Sequence, residues 1–169
     1  MQDCETFEEA AAQAMAPSTA LSIAEQVRRS VLMTPRQKTF AMEDIMRAMP
    51  QVDVPVKHHY GKGLYGREIA IPAGTTLTGR IHKFANLNVL LSGQMSVSMD
   101  DGEQHLVTGP CVVVSPAGTK RIADPVTDCV WLTFLGTDAT DPEAIELEFT
   151  AADEQDYLTH CEQLQIKGA

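Results

Sequence analysis

The chain has 169 residues, which is enough for one domain with a proper core and short for two. Its apolar content of 44% and charged content of 21% are ordinary for a globular protein, and 23 acidic against 13 basic residues argue against a nucleic-acid binder that works by bulk charge. The acidic start carries no apolar signal segment, and no stretch approaches the ~18 apolar residues of a membrane span. We therefore expect a cytoplasmic protein with no membrane partner.

Residues 1–53 are predicted to form an N-terminal helical arm. Residues 1–17 form either a frayed helix or a loose segment. A capping pattern at Ser22, followed by apolar residues at helical spacing, predicts a helix that ends before Pro35, because proline disfavours helical geometry in the residue before it. A second helix is expected over about residues 39–49, where another proline stops it.

Residues 54–137 are predicted to form a β-barrel or sandwich. The run from His58 to Ile71 indicates a strand, a glycine turn and a second strand. Further strands are expected over residues 95–99, 104–107, 111–115, 120–122 and 129–135. Turn signals every ~8–12 residues are typical of such all-β folds. Residues 138–169 are expected to form an acidic segment followed by a helix from about residue 150.

The most informative stretch runs from Pro72 to Gly93. Its alternate residues separate into a polar and an aliphatic set, and strand side chains alternate between faces. The polar set includes Arg80, His82, Asn86 and Asn88. Two arrangements are open. Either the aliphatic face fills the core and the polar face meets water, or the polar face lines the mouth of a barrel. In the second case the helical arm or a second copy of the chain covers the aliphatic face.

A second stretch, Gly109 to Arg121, reads GPCVVVSPAGTKR. It contains a Pro-Ala-Gly turn near its end, and the first stretch has the same turn at its start. Over roughly residues 57–135 the two stretches resemble the paired motifs of the cupin superfamily. In that family the first motif carries two histidines flanking one residue, then a glutamate and a glycine, and the second carries Pro-x-Gly and a third histidine. The corresponding positions here are Arg80, His82, Asn86, Gly93, Pro116, Gly118 and Arg121. The resemblance implies a mainly β fold, a double-stranded β-helix (cupin jelly-roll barrel), and the sequence pattern adds the N-terminal helical arm and a C-terminal helix.

The metal ligands that the resemblance implies are mostly absent from this chain. Of the four usual ligand positions only His82 carries a ligating residue. Arginine stays protonated and cannot ligate a metal, and two cations beside the site oppose a divalent ion. The four cysteines lack Cys-x-x-Cys spacing and indicate no zinc site. We therefore expect no metal and no cofactor, with one alternative left open: a ligand set rebuilt around His82 from His58 or His59 with Glu68.

Arginine in this setting points to anion recognition, because a guanidinium presents a planar fork of donors that suits carboxylate or phosphate. The expected ligand-binding residues are Tyr65, Arg67, Arg80, His82, Asn86, Asn88 and Arg121. The leading hypothesis is a non-enzymatic binding or interaction module. Its polar, cationic mouth would hold a small anionic molecule or an acidic group of a protein partner.

Two other functions stay open. The first is a cupin enzyme, either metal-dependent on a rebuilt histidine site or a metal-free isomerase of the sugar type, with His82 and Tyr60 or Tyr65 as acid and base. The second follows from the segments YGRE, GRIHK and PAGTKR, which are similar to cupin-like proteins encoded by bacteriophages. Those proteins have no known role, and the structural hypothesis is a phage particle component or a host-directed binder that docks through the helical arm, located in the host cytoplasm or the virion. Open sheet edges and an aliphatic outer face predict a homo-oligomer, most simply a dimer.

Overall fold

The computed structural model describes residues 22–99 and 101–167. The chain divides into two units, Met1–Met33 and Thr34–Ala169. The described part of the first unit contains helix α1, Ile23–Leu32, whose N-cap Ser22 accepts a hydrogen bond from the backbone N–H of Glu25. The capping pattern is thus confirmed. The expectation for residues 1–17 lies outside the described residues, and the division of the chain at residues 53 and 137 stays a prediction.

The second unit is mainly β. Its strands are β1 Val56–Gly61, β2 Leu64–Ile71, β3 Leu77–Thr78, β4 Ile81–His82, β5 Asn86–Ser92, β6 Gln94–Ser98, β7 Gln104–Thr108, β8 Cys111–Ser115, β9 Ile122–Pro125, β10 Cys129–Leu135 and β11 Thr150–Ala151. Its helices are α2 Pro35–Arg47, α3 Pro142–Phe149 and α4 Glu154–Lys167. Among the described helices, none combines the length and the apolar character that crossing a membrane requires.

Antiparallel pairing gives a five-stranded sheet in the order β1-β2-β10-β5-β8 and a four-stranded sheet in the order β3-β9-β6-β7. Strands β11 and β4 form a third, two-stranded sheet. The main core cluster draws on both larger sheets, which places it between them. Its members are Ile69, Ile71, Leu90, Met95, Val97 and Cys129. The predicted mainly β fold, an antiparallel jelly-roll barrel with helices before and after it in sequence, is confirmed.

The central stretch, expected as one alternating run, consists of three separate strands. Residues 79–80 separate β3 from β4, and residues 83–85 separate β4 from β5. Alternation holds within β5, where Asn86 and Asn88 are buried. On β4, Ile81 is buried, and this strand pairs with β11.

The aliphatic outer face of β5 is exposed. Leu87 and Leu91 leave 42% and 46% of their surface accessible. On the paired strand β8, Val112 and Val114 leave 64% and 67% accessible, and β8 is an edge strand of its sheet. The homo-oligomer expected from such a face stays a prediction.

Helix α2 begins at Pro35 and not at about Thr39, as the sequence analysis expected. Thr34 is its N-cap: the Thr34 hydroxyl accepts a hydrogen bond from the Gln37 N–H, and the Gln37 side chain accepts one from the Thr34 N–H. Proline suits the first helical position because its missing N–H would have no helical partner there. The Thr-Pro pair that ends α1 therefore also begins α2.

Two charged side chains fasten α2 within its unit. The guanidinium of Arg36 donates to the Glu154 carboxylate of α4, with Nε 2.9 Å from Oε1, and also to the carbonyl oxygen of Gly118. The Lys120 ammonium lies 2.8 Å from the Glu43 carboxylate of α2. Both Gly118 and Lys120 belong to the second Pro-Ala-Gly stretch, so α2 holds this turn in place beside the barrel.

Candidate functional site

A cavity of about 400 Å³ lies between the two larger sheets, and all seven expected ligand-binding residues line it. These are Tyr65, Arg67, Arg80, His82, Asn86, Asn88 and Arg121. The volume falls within the ~300–1,000 Å³ of typical small-molecule sites. Of the two arrangements left open by the sequence, the structure has the second, with the polar side chains of β5 facing inward. The role of the seven residues in binding stays a prediction.

Strand register arranges one wall of the barrel in rows. Residues that face each other across β2, β10 and β5 lie at the same depth. From the α3 end inward, the rows are Tyr65–Leu135, Arg67–Thr133–Asn88, Ile69–Trp131–Leu90 and Ile71–Cys129. We call the Arg67–Thr133–Asn88 row the polar row. It lies above two apolar rows, so the cavity changes character with depth.

Hydrogen bonds join Thr133 and Asn88 of the polar row to Trp131 and Ser115 in one chain. The Trp131 indole N–H donates to the Thr133 hydroxyl oxygen at 3.3 Å, and the Thr133 hydroxyl donates to Asn88 Oδ1 at 2.8 Å. Asn88 Nδ2 in turn donates to the Ser115 hydroxyl oxygen at 3.1 Å. Because its oxygen and one of its amide hydrogens are engaged, Asn88 serves first to hold the row rigid.

Three residues that line the cavity each carry a buried polar atom with no hydrogen-bond partner among the described residues. The atoms are His82 Nδ1, Asn86 Oδ1 and Arg121 Nε. A buried polar group without a partner costs ~1–3 kcal/mol, and native proteins leave few of them. The three side chains line one cavity, but these atoms themselves are covered by protein and not exposed in it.

The charge of the cavity is positive. Arg67 and Arg121 form no ion pair with any carboxylate of the described residues. Glu146 is the one carboxylate among the described lining residues, and it pairs with Arg80, whose Nη2 lies 2.6 Å from Oε1. Two uncompensated guanidinium groups thus line one cavity of a chain with a net charge of −10.

Burial sets the protonation of two groups in the wall. It lowers the pKa of His82, and the nearby positive charge of Arg67 lowers this pKa further. The imidazole is therefore neutral near neutral pH, with one nitrogen that donates and one that accepts. Burial raises the pKa of the Tyr65 phenol, although Arg67 acts in the opposite direction. Tyr65 therefore keeps its proton and can donate it in a hydrogen bond.

His58 is a cavity residue that the sequence analysis named only as an alternative metal ligand. It lies opposite Arg67 across the β1–β2 hairpin, which puts its side chain on the inner face. Its Nδ1 lies 2.7 Å from the Tyr65 hydroxyl oxygen. The parity of the hairpin was the available signal: residues opposite each other in an antiparallel pair share a face.

The alternative of a rebuilt metal site does not fit the structure. His59 and Glu68 contact each other at 2.9 Å and do not line the cavity. Across residues 22–99 and 101–167, no group of three or more histidine, cysteine, aspartate or glutamate side chains is placed to hold a metal ion. His82 shares the cavity wall with Arg80 and Arg121, whose guanidinium groups cannot ligate a metal ion. The residues present therefore do not fit a divalent metal; the absence of any other cofactor stays a prediction.

Helix α3 contributes to the cavity wall and was missed by the sequence analysis, which expected only an acidic segment there. Asp141 caps it by accepting a hydrogen bond from the Glu143 N–H, and Pro142 occupies its first turn. Ile145 is 1% exposed and packs with Tyr65. The helix was missed because its last five residues, IELEF, alternate apolar and acidic side chains as a strand does.

No protein-family model matches the chain, and no curated protein matches it. Its similarities are to solved structures of cupin and RmlC-like proteins. A cupin superfamily protein from Desulfitobacterium hafniense DCB-2 is 13% identical, with 53% of this chain and 83% of that chain covered and a TM-score of 0.44. An RmlC-like cupin family protein from Methanocaldococcus jannaschii is 13% identical, with 56% and 86% covered and a TM-score of 0.43. Ectoine synthase from P. lautus is 14% identical, with 61% and 78% covered and a TM-score of 0.48. Likeness at this level carries no information on the chemistry of the site.

Proposed function

We propose that this protein is a binding module whose cavity holds a small organic anion. The observation that carries the proposal is the pair of uncompensated cavity arginines, Arg67 and Arg121, in an otherwise acidic chain. Guanidinium groups bind carboxylate or phosphate through charge-assisted hydrogen bonds. The side chains of His82 and Asn86 line the same cavity. A recessed cavity favours a small molecule over an acidic group on the surface of a protein partner.

Calorimetric titration of the full chain tests this proposal. The probes are small carboxylates and inorganic phosphate at low ionic strength. Replacing Arg67 or Arg121 by glutamine removes a charge-assisted contact worth ~1.5–3 kcal/mol, so each variant is expected to bind about 10- to 100-fold more weakly. Arg47→Gln is the matched control, because the Arg47 side chain is 68% exposed and does not line the cavity.

Two results would contradict the proposal. One is the absence of binding by every anion tested. The other is binding that the two cavity arginine variants leave unchanged. A transition metal found at stoichiometric level by elemental analysis of the purified protein would also count against it, because the site offers no ligand set for a divalent ion.

A second candidate is a metal-free acid–base enzyme, and the contact between His58 and Tyr65 favours it. The two side chains meet at 2.7 Å in the cavity wall, and an imidazole can relay the proton of a phenol. The pair differs from the one expected, since His82 Nδ1 has no partner and it is His58 that reaches the phenol. Proton exchange with D2O beside the carbonyl of keto sugars and keto acids, followed by NMR, tests this function; Tyr65→Phe is expected to abolish the exchange.

The structural role in a bacteriophage particle and the location in cytoplasm or virion stay predictions. Particle membership is tested by mass spectrometry of purified virions, if the chain is phage-encoded. The protein's recovery only in the cell lysate would contradict a particle role.

A further inference from the structure

We propose that the ligand of this cavity is an amphiphilic monoanion: a carboxylate head group that carries an apolar body of medium length. The inference rests on the proposed anion-binding function and adds the other half of the ligand. It follows from the two levels of the cavity wall, which are polar at one depth and apolar at the next.

The apolar level, which we call the apolar floor, lies beyond the polar row. It is formed by Ile69, Ile71, Leu77, Met95, Val97 and Trp131. These side chains come from both large sheets and belong to the main core cluster or pack against it. A phosphate or a short carboxylate held at the arginines would leave this apolar wall in contact with water. An apolar body attached to the anion would cover it, which is favourable in proportion to the area removed from water.

The depth of the floor sets the length of that body. Arg67 and Ile71 lie on one strand four positions apart, which corresponds to roughly 13 Å at ~3.3 Å per residue. A head group at Arg67 therefore leaves room below it for a chain of several methylenes.

The charges around the cavity limit the ligand to one anionic group. Arg67 and Arg121 line the cavity without a carboxylate partner among the described residues, and Arg80 is already paired with Glu146. No residue of the apolar floor carries a charge or a side-chain hydrogen-bond donor except the indole N–H of Trp131, which Thr133 accepts. A second carboxylate at the far end of the ligand would thus be buried without a partner, which is costly.

Trp131 provides the readout, because it is the single tryptophan of the chain and lies in the floor. The experiment titrates the full chain with butyrate, hexanoate and octanoate and follows tryptophan fluorescence. Affinity is expected to rise about fourfold per added methylene, the ratio that corresponds to burying one CH2 group. Octanol, which has the tail without the charge, and suberate, which has a second charge, are the matched ligands and are expected to bind at least tenfold more weakly than octanoate.

Two variants separate the head group from the tail. Arg121→Gln is expected to lower the affinity for octanoate at least tenfold and to leave the affinity for octanol unchanged. Leu77→Phe fills part of the floor from a partly buried position, so it is expected to weaken octanoate while leaving butyrate unchanged. Arg47→Gln serves again as the exposed control.

The outcomes distinguish this inference from the function on which it rests. Equal affinity for butyrate and octanoate, with both weakened by Arg121→Gln, overturns the amphiphile and leaves the anion-binding function standing. Octanol binding as tightly as octanoate, with no effect of Arg121→Gln, overturns both. The same holds if none of these ligands and no other anion binds.

Discussion

The ion pair between Lys120 and Glu43 gives the sharpest stability prediction. The Lys120 side chain is 4% exposed, and its Nζ lies 2.8 Å from Glu43 Oε2 and 2.8 Å from the carbonyl oxygen of Gly79. Replacing Lys120 by methionine keeps the side-chain length but leaves the carboxylate without its closest cation. Breaking a buried pair costs ~3–5 kcal/mol. We expect about 3 kcal/mol, the lower end, because the Glu43 side chain keeps 20% of its exposure.

Arg47 supplies the control, since it contacts the same carboxylate from the surface. Its Nη2 lies 3.5 Å from Glu43 Oε1, four positions along α2, and its side chain is 68% exposed. An exposed pair of this spacing contributes ~0.3–0.5 kcal/mol. Arg47→Met should therefore cost several-fold less than Lys120→Met, and the difference between the two variants reports the burial of the cation.

Urea denaturation followed by circular dichroism measures both losses. A loss of about 3 kcal/mol corresponds to a melting temperature lower by roughly 6–12 °C in a chain of this size. The double variant Glu43→Gln with Lys120→Met is expected to recover part of the loss, because the carboxylate that lacked a partner is gone. Losses in the free energy of unfolding that agree within ~0.5 kcal/mol for Lys120→Met and Arg47→Met would refute a special contribution of the buried cation.

The same pair predicts a pH dependence. Burial by itself raises the pKa of Glu43, but the hydrogen bond and the charge of Lys120, helped by Thr78 and Arg47, outweigh it and hold this pKa below its ordinary range. The folded-state pKa is thus lower than the unfolded one. Stabilisation by the pair is present above the ordinary glutamate range and is lost as the pH falls through the folded-state pKa. The difference in the free energy of unfolding between Lys120→Met and the unmodified chain should therefore become smaller at acidic pH.

Three other changes have expected outcomes. The pKa of His82 is lower in the folded chain than in the unfolded chain, so the unfolded chain binds a proton first as the pH falls. Below the ordinary histidine range, the free energy of unfolding therefore drops by up to ~1.4 kcal/mol per pH unit. His82→Asn should reduce this slope in urea titrations from pH 7 to 5. Gly93 has φ of +92°, and a Cβ there would overlap the carbonyl oxygen of Asp128. At Gly63, φ is +70° and a Cβ would meet no atom within 4 Å, so Gly63→Ala should lower the free energy of unfolding by only ~1–2 kcal/mol. Gly93→Ala should lower it by well above that amount. Val112→Lys on the exposed outer face should lower the molar mass seen by light scattering, and a monomeric unmodified chain would contradict the predicted homo-oligomer.

The inward face of β5 could be predicted because alternation is a local property of a strand. Asn86 and Asn88 are both buried and both line the cavity, as the polar set of the sequence implied. The same parity distinguishes Ile81 from Arg80 and His82, since those two residues line the cavity and Ile81 does not. Pattern alone did not show that the stretch divides into three strands.

The contacts of the site could not be predicted in the same way. Arg80 was expected to face a ligand, and it pairs with Glu146. That pairing depends on α3, whose alternating sequence predicts no helix, and on how α3 packs against Tyr65 through Ile145. Long-range packing of this kind leaves no local signal. The hydrogen-bonded polar row is a similar case, because Thr133 reaches Asn88 only through the register of two distant strands.

The polar row and the apolar floor lie at different depths of the cavity, so under the proposed function one level would bind the head group and the other would limit the length of the ligand. The two levels come from different residue positions of the same strands. A larger side chain at Ile71 would therefore reduce the depth of the cavity while the guanidinium of Arg67 keeps its position. A scaffold built in this way can change its preferred ligand length by single substitutions without losing its hold on the head group. Such barrels can therefore diverge in ligand specificity through single substitutions at one depth of the cavity.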